Sequence, residues 1–318
     1  MELQYTFLSI STAIIKLFML MLIGYVMSHR KIVGDKFVDT LSQVLVRVIF
    51  PALIITKTIK HFSFAEYGDW WVLPLSAVLF SATGMAIAAG VLRLFKGFSS
   101  GKEFMTGCAF QNCGYLPMNL ILFSFAGAVA DKLLIYLFLF VMGFNLLMWS
   151  LVPLFLTGTL KSKFRIGVLF TPPVVATLFS LLWVAVMGKG SLPKLVADPL
   201  NQLGQAAFPI AMITLGAYLH RYRAYIPQDK MPLAAGIVIK LLLFPALVLL
   251  ALWRIPMDFD LKFFLFLQSV MPTAVSLVVI GGYCDADNRF YSSVIFYTHL
   301  IAIFSTPVWL SVFHFLTG

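Results

Sequence analysis

Phe50-Pro51-Ala52-Leu53-Ile54-Ile55-Thr56 returns as Phe208-Pro209-Ile210-Ala211-Met212-Ile213-Thr214, an F-P-x-x-x-I-T pattern repeated 158 positions further along a chain of 318 residues. Gln111 has a counterpart 157 positions on in Gln268, and Pro153 near Trp149 has one 154 positions on in Pro307 near Trp309. Three matches at one nearly constant offset, half the chain, describe an internal duplication. In a strongly apolar sequence, duplication over half the length is the signature of many secondary transporters.

Apolar residues make up 61% of the chain and charged residues 11%, with a mean hydropathy of +0.95. Globular domains run near half apolar and a quarter charged, so a soluble fold of this length has nowhere to hide such a surface. The net charge is +10, but the basic residues sit singly or in small groups between apolar runs. They form no basic stripe, which argues for membrane orientation and against nucleic acid as a partner. Cys108, Cys113 and Cys284 have no metal-ligand spacing, so neither a zinc site nor a disulfide framework is expected. The first residues lack a basic n-region and a small-residue cleavage site, so the first apolar segment reads as a retained span.

A hydrocarbon core of about 30 Å takes roughly 20 apolar residues per helix. That ruler gives ten spans, at 6–28, 37–57, 70–94, 103–126, 132–158, 166–187, 198–220, 232–253, 261–283 and 290–315. Loops after odd-numbered spans hold 13 basic residues: Arg30, Lys31, Lys36, Arg93, Lys96, Lys102, Lys161, Lys163, Arg165, Arg221, Arg223, Lys230 and Arg289. Loops after even-numbered spans hold 7: Lys57, Lys60, Lys132, Lys189, Lys194, Arg254 and Lys262. The positive-inside rule makes the first set cytoplasmic and puts both termini on the other side, in a plasma or inner membrane. Five spans per half is an odd number, so the halves 1–158 and 159–318 enter the bilayer from opposite sides. The expected fold is an all-α polytopic membrane protein of ten transmembrane helices in two inverted five-helix repeats.

Span 4 contains Phe110-Gln111-Asn112-Cys113-Gly114-Tyr115-Leu116-Pro117-Met118-Asn119, with a glycine, a proline and three amides near mid-span. Span 9 holds Gln268-Ser269-Val270-Met271-Pro272-Thr273-Ala274-Val275-Ser276 in the matching place. Glycine permits unusual backbone angles and proline removes a donor, so both helices are expected to break there. Broken backbone at membrane depth is tolerated only where protein or a wet cavity covers it. Each break also leaves a half-helix N-terminus with free N–H groups, which suits an anion. A proline kink healed by neighbours is the plainer alternative for either span alone. Repeat-related breaks lined with amides favour a substrate site formed by Gln111, Asn112, Gly114, Pro117, Gln268, Ser269, Pro272 and Thr273.

Ionisable residues inside spans are functional candidates. Lys16, Arg47 and Lys240 are such residues, and the spans offer almost no acid to neutralise them. Lys16 and Arg47 are assigned to electrostatic support of an anion, while snorkelling or carbonyl capping competes for all three and most of all for Lys240. Asp39, Gln43 and Arg47 fall at i, i+4 and i+8, a spacing that would allow a relay along one face. His299 in span 10 is a candidate proton carrier, against the commoner role of bonding a neighbouring helix. Walker A, dinucleotide, HExxH and GxSxG motifs are absent from the sequence, and Ser and Asp are too sparse in the spans for a triad, so an enzyme is not expected.

Ten spans with both termini outside, Asn112-x-Gly114-x-Leu116-Pro117 in span 4, Pro272-x-Ala274 in span 9 and Tyr283-Cys284-Asp285-Ala286-Asp287 after it resemble the auxin efflux carrier family. The likeness covers essentially the whole chain. It implies the fold of bile acid–sodium symporters, with spans 1, 2, 6 and 7 as a scaffold and spans 3–5 and 8–10 as a moving core. Spans 4 and 9 would cross at the site, with Asn112 and the Pro117 break on a substrate carboxylate and the Pro272 break facing it. Dimerisation through the scaffold is implied as well. The long cytoplasmic loop of many plant members is missing, since only about seven residues part spans 5 and 6, which favours a bacterial-type permease.

The leading expectation is a carrier that moves a small organic anion, a carboxylate, by alternating access. No cofactor is expected beyond coupling to H+ or Na+. A sodium symporter of the bile-acid type is the alternative; sodium prefers carboxylate and carbonyl oxygens, and the scarcity of acids weighs against it while amides keep it open. A ligand-binding sensor lacks the signalling domain it would need, and a proton-coupled cation antiporter lacks buried carboxylates.

Overall fold

The computed structural model describes residues 7–94, 100–158, 170–223 and 230–317, with side chains from residue 11 onward. Lys96, Lys161, Lys163 and Arg165 lie outside the described residues. Every apolar stretch read from the sequence is mostly helical where described. In order the helices are α1 (Phe7–His29), α2 (Asp35–Val44), α3 (Phe50–His61), α4 (Val72–Leu94), α5 (Gly101–Ala109), α6 (Tyr115–Ser124), α7 (Gly127–Thr157) and α8 (Pro172–Met187). They continue with α9 (Lys194–Gln205), α10 (Ala207–Tyr222), α11 (Lys230–Val238), α12 (Phe244–Arg254), α13 (Phe259–Ser269), α14 (Ser276–Tyr283) and α15 (Asn288–Thr317). Among the described residues six segments are long and apolar enough to cross a bilayer: 11–29, 35–61, 72–94, 127–157, 230–254 and 288–317. The chain is an all-helical polytopic membrane protein; among the described residues the only β pairing is one isolated bridge.

Three Phe-Pro dipeptides shape the backbone in the same way. A proline lacks the N–H for its own helical bond and crowds the carbonyl four residues back. Ahead of Phe50-Pro51 the helix widens into a π turn at Leu45–Ile49, and ahead of Phe244-Pro245 into another at Ile239–Leu243. Ahead of Phe208-Pro209, α9 stops at Gln205 and α10 restarts at Ala207. Such π insertions are a regular way to absorb a mismatch in the i→i−4 ladder. Pro245 frees the carbonyl of Leu241, and the Trp309 indole N–H of α15 donates to that oxygen at 2.7 Å. Trp309→Phe keeps a six-membered aromatic ring and removes the pyrrole portion with its donor. It should cost about 1 kcal/mol, read as a lower thermal-unfolding midpoint in detergent.

Without a hydrophobic drive between helices in lipid, packing relies on close backbone approach at small residues. Gly24 of α1 and Gly216 of α10 lie face to face, so that a side chain on either would strike a backbone carbonyl, that of Ile213 or Met21. Four residues on, Ser28 Oγ and His220 Nδ1 are 3.0 Å apart, so the two helices run parallel in one register. Helix α3 packs likewise on α8 and α9: the Gly190 N–H just past α8 donates to Ile59 O at 2.7 Å, and Gly204 sits on Leu53. Gly84 against Ala109 seats α4 on α5, and Gly143 against Pro74 seats α7 on α4.

Candidate functional site

The breaks expected in spans 4 and 9 are present, and they pair with each other. Residues 110–114 leave the helical path between α5 and α6, and residues 270–275 do so between α13 and α14. Between them Gln111 and Thr273 form an antiparallel bridge. The Asn112 N–H donates to Pro272 O at 2.7 Å, and the Ala274 N–H to Phe110 O at 3.0 Å. The interrupted helices thereby satisfy each other's backbone at membrane depth, where water is absent.

Three carbonyls at the end of α5, those of residues 106 to 108, have named partners. Thr106 O accepts from the Phe110 N–H. Gly107 O accepts from Thr273 Oγ1 at 3.2 Å, and Cys108 O from Lys240 Nζ at 3.1 Å. Lys240 is wholly buried, and its Nζ lies 5.4 Å from the Phe244 ring centroid. The π turn ahead of Phe244-Pro245 carries it against α5. The sequence flagged Lys240 without giving it a place. The overlooked signal is Phe244-Pro245-Ala246-Leu247, which copies Phe50-Pro51-Ala52-Leu53 outside the register of the repeat.

The side chains of the crossing are buried and only partly satisfied. His299 Nδ1 lies 2.8 Å from Ile295 O and must donate to it, which leaves Nε2 as acceptor for the Asn112 Nδ2–H at 3.0 Å. In this neutral tautomer both ring nitrogens are engaged, and the ring sets the Asn112 amide. Gln268 Nε2 donates to Cys113 O at 3.3 Å. Gln268 Oε1, Asn119 Oδ1 and both polar atoms of Gln111 have no protein partner among the described residues, although all three residues are fully buried. An unmet buried polar group costs about 1–3 kcal/mol, so these four atoms, on residues in or next to the two breaks along the chain, are candidates to meet a ligand.

Four of the expected site residues play different parts from those the sequence suggested. Gly114 has φ −108°, open to any residue, and a Cβ there would meet nothing within 4 Å. Neither a neighbour nor the backbone angle requires a glycine there. Pro117 sits in the first turn of α6, where its missing N–H costs nothing, so it starts a helix instead of kinking one. Ser269 turns back on its own helix, donating to Phe266 O at 2.6 Å. Thr273 serves the bridge, its N–H donating to Thr298 Oγ1 at 3.2 Å and its hydroxyl to Gly107 O.

The cations in the spans divide. Lys240 is buried; Lys16 and Arg47 are exposed on the protein surface, Lys16 with its Nζ 5.9 Å from the Phe123 ring centroid. The relay from Asp39 through Gln43 to Arg47 is not formed. Asp39 instead accepts from Arg221 Nη1 at 3.1 Å and Tyr218 OH at 3.2 Å, and the π turn at Leu45–Ile49 shifts Arg47 out of the i+4 register. No carboxylate is buried among the described residues. A cavity of about 200 Å³ beside the break, between α4, α5 and α7, is lined by Met85, Phe110, Leu151 and Phe155 with Thr106 its one polar side chain. It is too apolar to receive a charged group.

A family model described as membrane transport protein matches residues 9–163 and 156–310. An uncharacterized transporter of Methanothermobacter thermautotrophicus is 26% identical over 312 residues, which cover 95% of this chain and 98% of the relative. With both matches running nearly end to end over a chain whose two broken helices meet at its centre, the protein belongs to the membrane transport proteins of the auxin efflux carrier family.

Proposed function

We propose that this transport protein carries a small organic anion, a carboxylate, by alternating access, with its binding site where the breaks at 110–114 and 270–275 cross. The observation that carries the reading is the make-up of the crossing: buried amides with unmet polar atoms and one buried lysine, with no buried carboxylate among the described residues. The starts of α6 and α14 add positive dipole ends at the same place. Asn112, held by His299 beside the open face of Gly114, is the natural first contact. Gln111 and Gln268 supply further polar atoms, and Pro117 and Pro272 define the breaks. Coupling to H+ or Na+ stays open in this reading.

The ten-span inverted repeat is the architecture that fits best. Helix α1, from the first half, packs parallel on α10, from the second, while α8 packs on α3, as exchange of the two halves requires. Ion pairs also sort by side. Lys57–Asp131 (2.7 Å), Lys132–Asp260 (2.7 Å) and Lys189–Glu66 (2.7 Å) join loops after even-numbered spans. Arg221–Asp39 (3.1 Å) lies at the opposite ends. Under this reading α1–α3 and α8–α10 form the scaffold, and α4–α7 and α11–α15 the moving core. Lys57 with Asp131, and Ser42 Oγ with Tyr115 OH at 3.3 Å, are then contacts that must part when the core moves. A homodimer through the scaffold, in a plasma membrane with both termini outside, completes the proposal.

The deciding experiment is thermal unfolding of the purified protein against small mono- and dicarboxylates, with sodium or choline as counter-ion and at two pH values. A ligand at about 100 times its Kd should add roughly 2.7 kcal/mol of stability. Stabilisation by one carboxylate class is the expected result, and its dependence on sodium or pH identifies the coupling ion. A response confined to neutral or cationic solutes would overturn the anion reading.

A further inference from the structure

We propose that the ammonium of Lys240 is a tethered cation, occupying at the end of α5 the position that a bound alkali cation would take in a cation-coupled carrier. The inference rests on the reading that the crossing is the transport site. Its own support is geometric.

A broken helix exposes at its first half the partial negative charge of unpaired carbonyls, and such an end attracts a cation. The two carbonyls most in need of a partner are those of Gly107 and Cys108, because the residues that would have bonded them, Gln111 and Asn112, have left the helix. A protein hydroxyl, that of Thr273, meets the first, and the Lys240 ammonium meets the second at 3.1 Å. A carbonyl, an aromatic face at 5.4 Å and full exclusion from the surface make the surroundings of a dehydrated monovalent cation. Main-chain oxygens and half-helix ends are also the groups that hold coupling ions in carriers with broken helices.

The placement is not incidental to packing. A buried ammonium without a carboxylate partner is expensive, and an apolar residue of the same shape would serve a purely structural site better. Lys240 comes from the π turn of another segment, so its charge reaches the break from outside the crossing helices. A covalent cation cannot dissociate, so the site stays compensated whether the core faces one side of the membrane or the other. External sodium would then find the Cys108 carbonyl already taken.

The test uses the full-length protein in detergent with no carboxylate present, so that it stands apart from the anion reading. Lys240→Ala removes the three outer methylenes and the ammonium, the equivalent of propylammonium. Its thermal midpoint should rise by several degrees in sodium, potassium or propylammonium chloride relative to choline chloride at equal ionic strength. The parent protein should show no such difference. Lys240→Met keeps most of the stem and removes the charge together with the N–H donors, and should melt several degrees below the parent in every salt. If Lys240→Ala ignores all small cations, or Lys240→Met melts at or above the parent temperature, the tethered-cation role is wrong. Failure of the anion reading would show separately, as a parent protein indifferent to every carboxylate.

Discussion

Asn112→Ala should reduce carboxylate affinity by about 10- to 100-fold, the worth of one hydrogen bond to a charged group, roughly 1.5–3 kcal/mol. One hydrogen of Nδ2 is committed to His299 Nε2 at 3.0 Å, which fixes the amide plane and directs the other hydrogen into the break. The N–H of Asn112 is already spent on Pro272 O, so truncating the side chain leaves the backbone bridge in place. The fold does not escape entirely. His299 Nε2 becomes an unmet buried acceptor, and the unliganded protein should lose about 1–3 kcal/mol of stability. Two readouts therefore separate: the midpoint without ligand falls modestly, and the ligand-induced shift nearly vanishes. A variant that melts lower yet shows the full carboxylate shift would remove Asn112 from the site and with it the reading of the crossing as the place of binding.

The places where helices break were legible because proline and glycine among amides have few other uses at mid-span. The stretches Phe110–Asn119 and Gln268–Ser276 are those the sequence marks for interruption, and within them the backbone leaves the helix at 110–114 and 270–275. What the sequence could not reveal is how the breaks satisfy each other. The bonds from Asn112 to Pro272 and from Ala274 to Phe110 join residues about 160 positions apart, and no local pattern encodes them. The charges were less legible for a related reason. Periodicity places Arg47 on a helix face only if the helix is regular, and the π turn at Leu45–Ile49 spoils that register. Lys240 looked like the least informative cation because nothing near it in sequence explains its burial. Its partner, the Cys108 carbonyl, becomes available only once α5 has ended. Dihedral angles, which a sequence does not carry, show that Gly114 at φ −108° occupies a conformation open to any residue and that Pro117 lies in the first turn of α6.

Gly216→Val, and equally Gly24→Val, should abolish the folded protein. At both positions a Cβ would fall on a main-chain oxygen of the facing helix, that of Met21 or Ile213, at separations no native contact shows. A flexible side chain could swing aside, but a carbonyl engaged in its own helix cannot, so α1 and α10 would have to part along the crossing. Both helices then lose the close approach that substitutes in lipid for a hydrophobic drive, and a loss above about 4 kcal/mol is the magnitude of the severest single substitutions. Gly90→Val is the control: that glycine also lies inside a helix, α4, yet a Cβ on it would meet nothing within 4 Å. Size-exclusion chromatography should give a monodisperse peak for Gly90→Val and aggregate or no protein for the other two. Because the obstruction is backbone, shortening Met21 or Ile213 to alanine should not rescue either variant. Rescue by such a truncation would mean that the helices touch through side chains, and that the parallel α1–α10 pair is not the rigid frame against which the core moves.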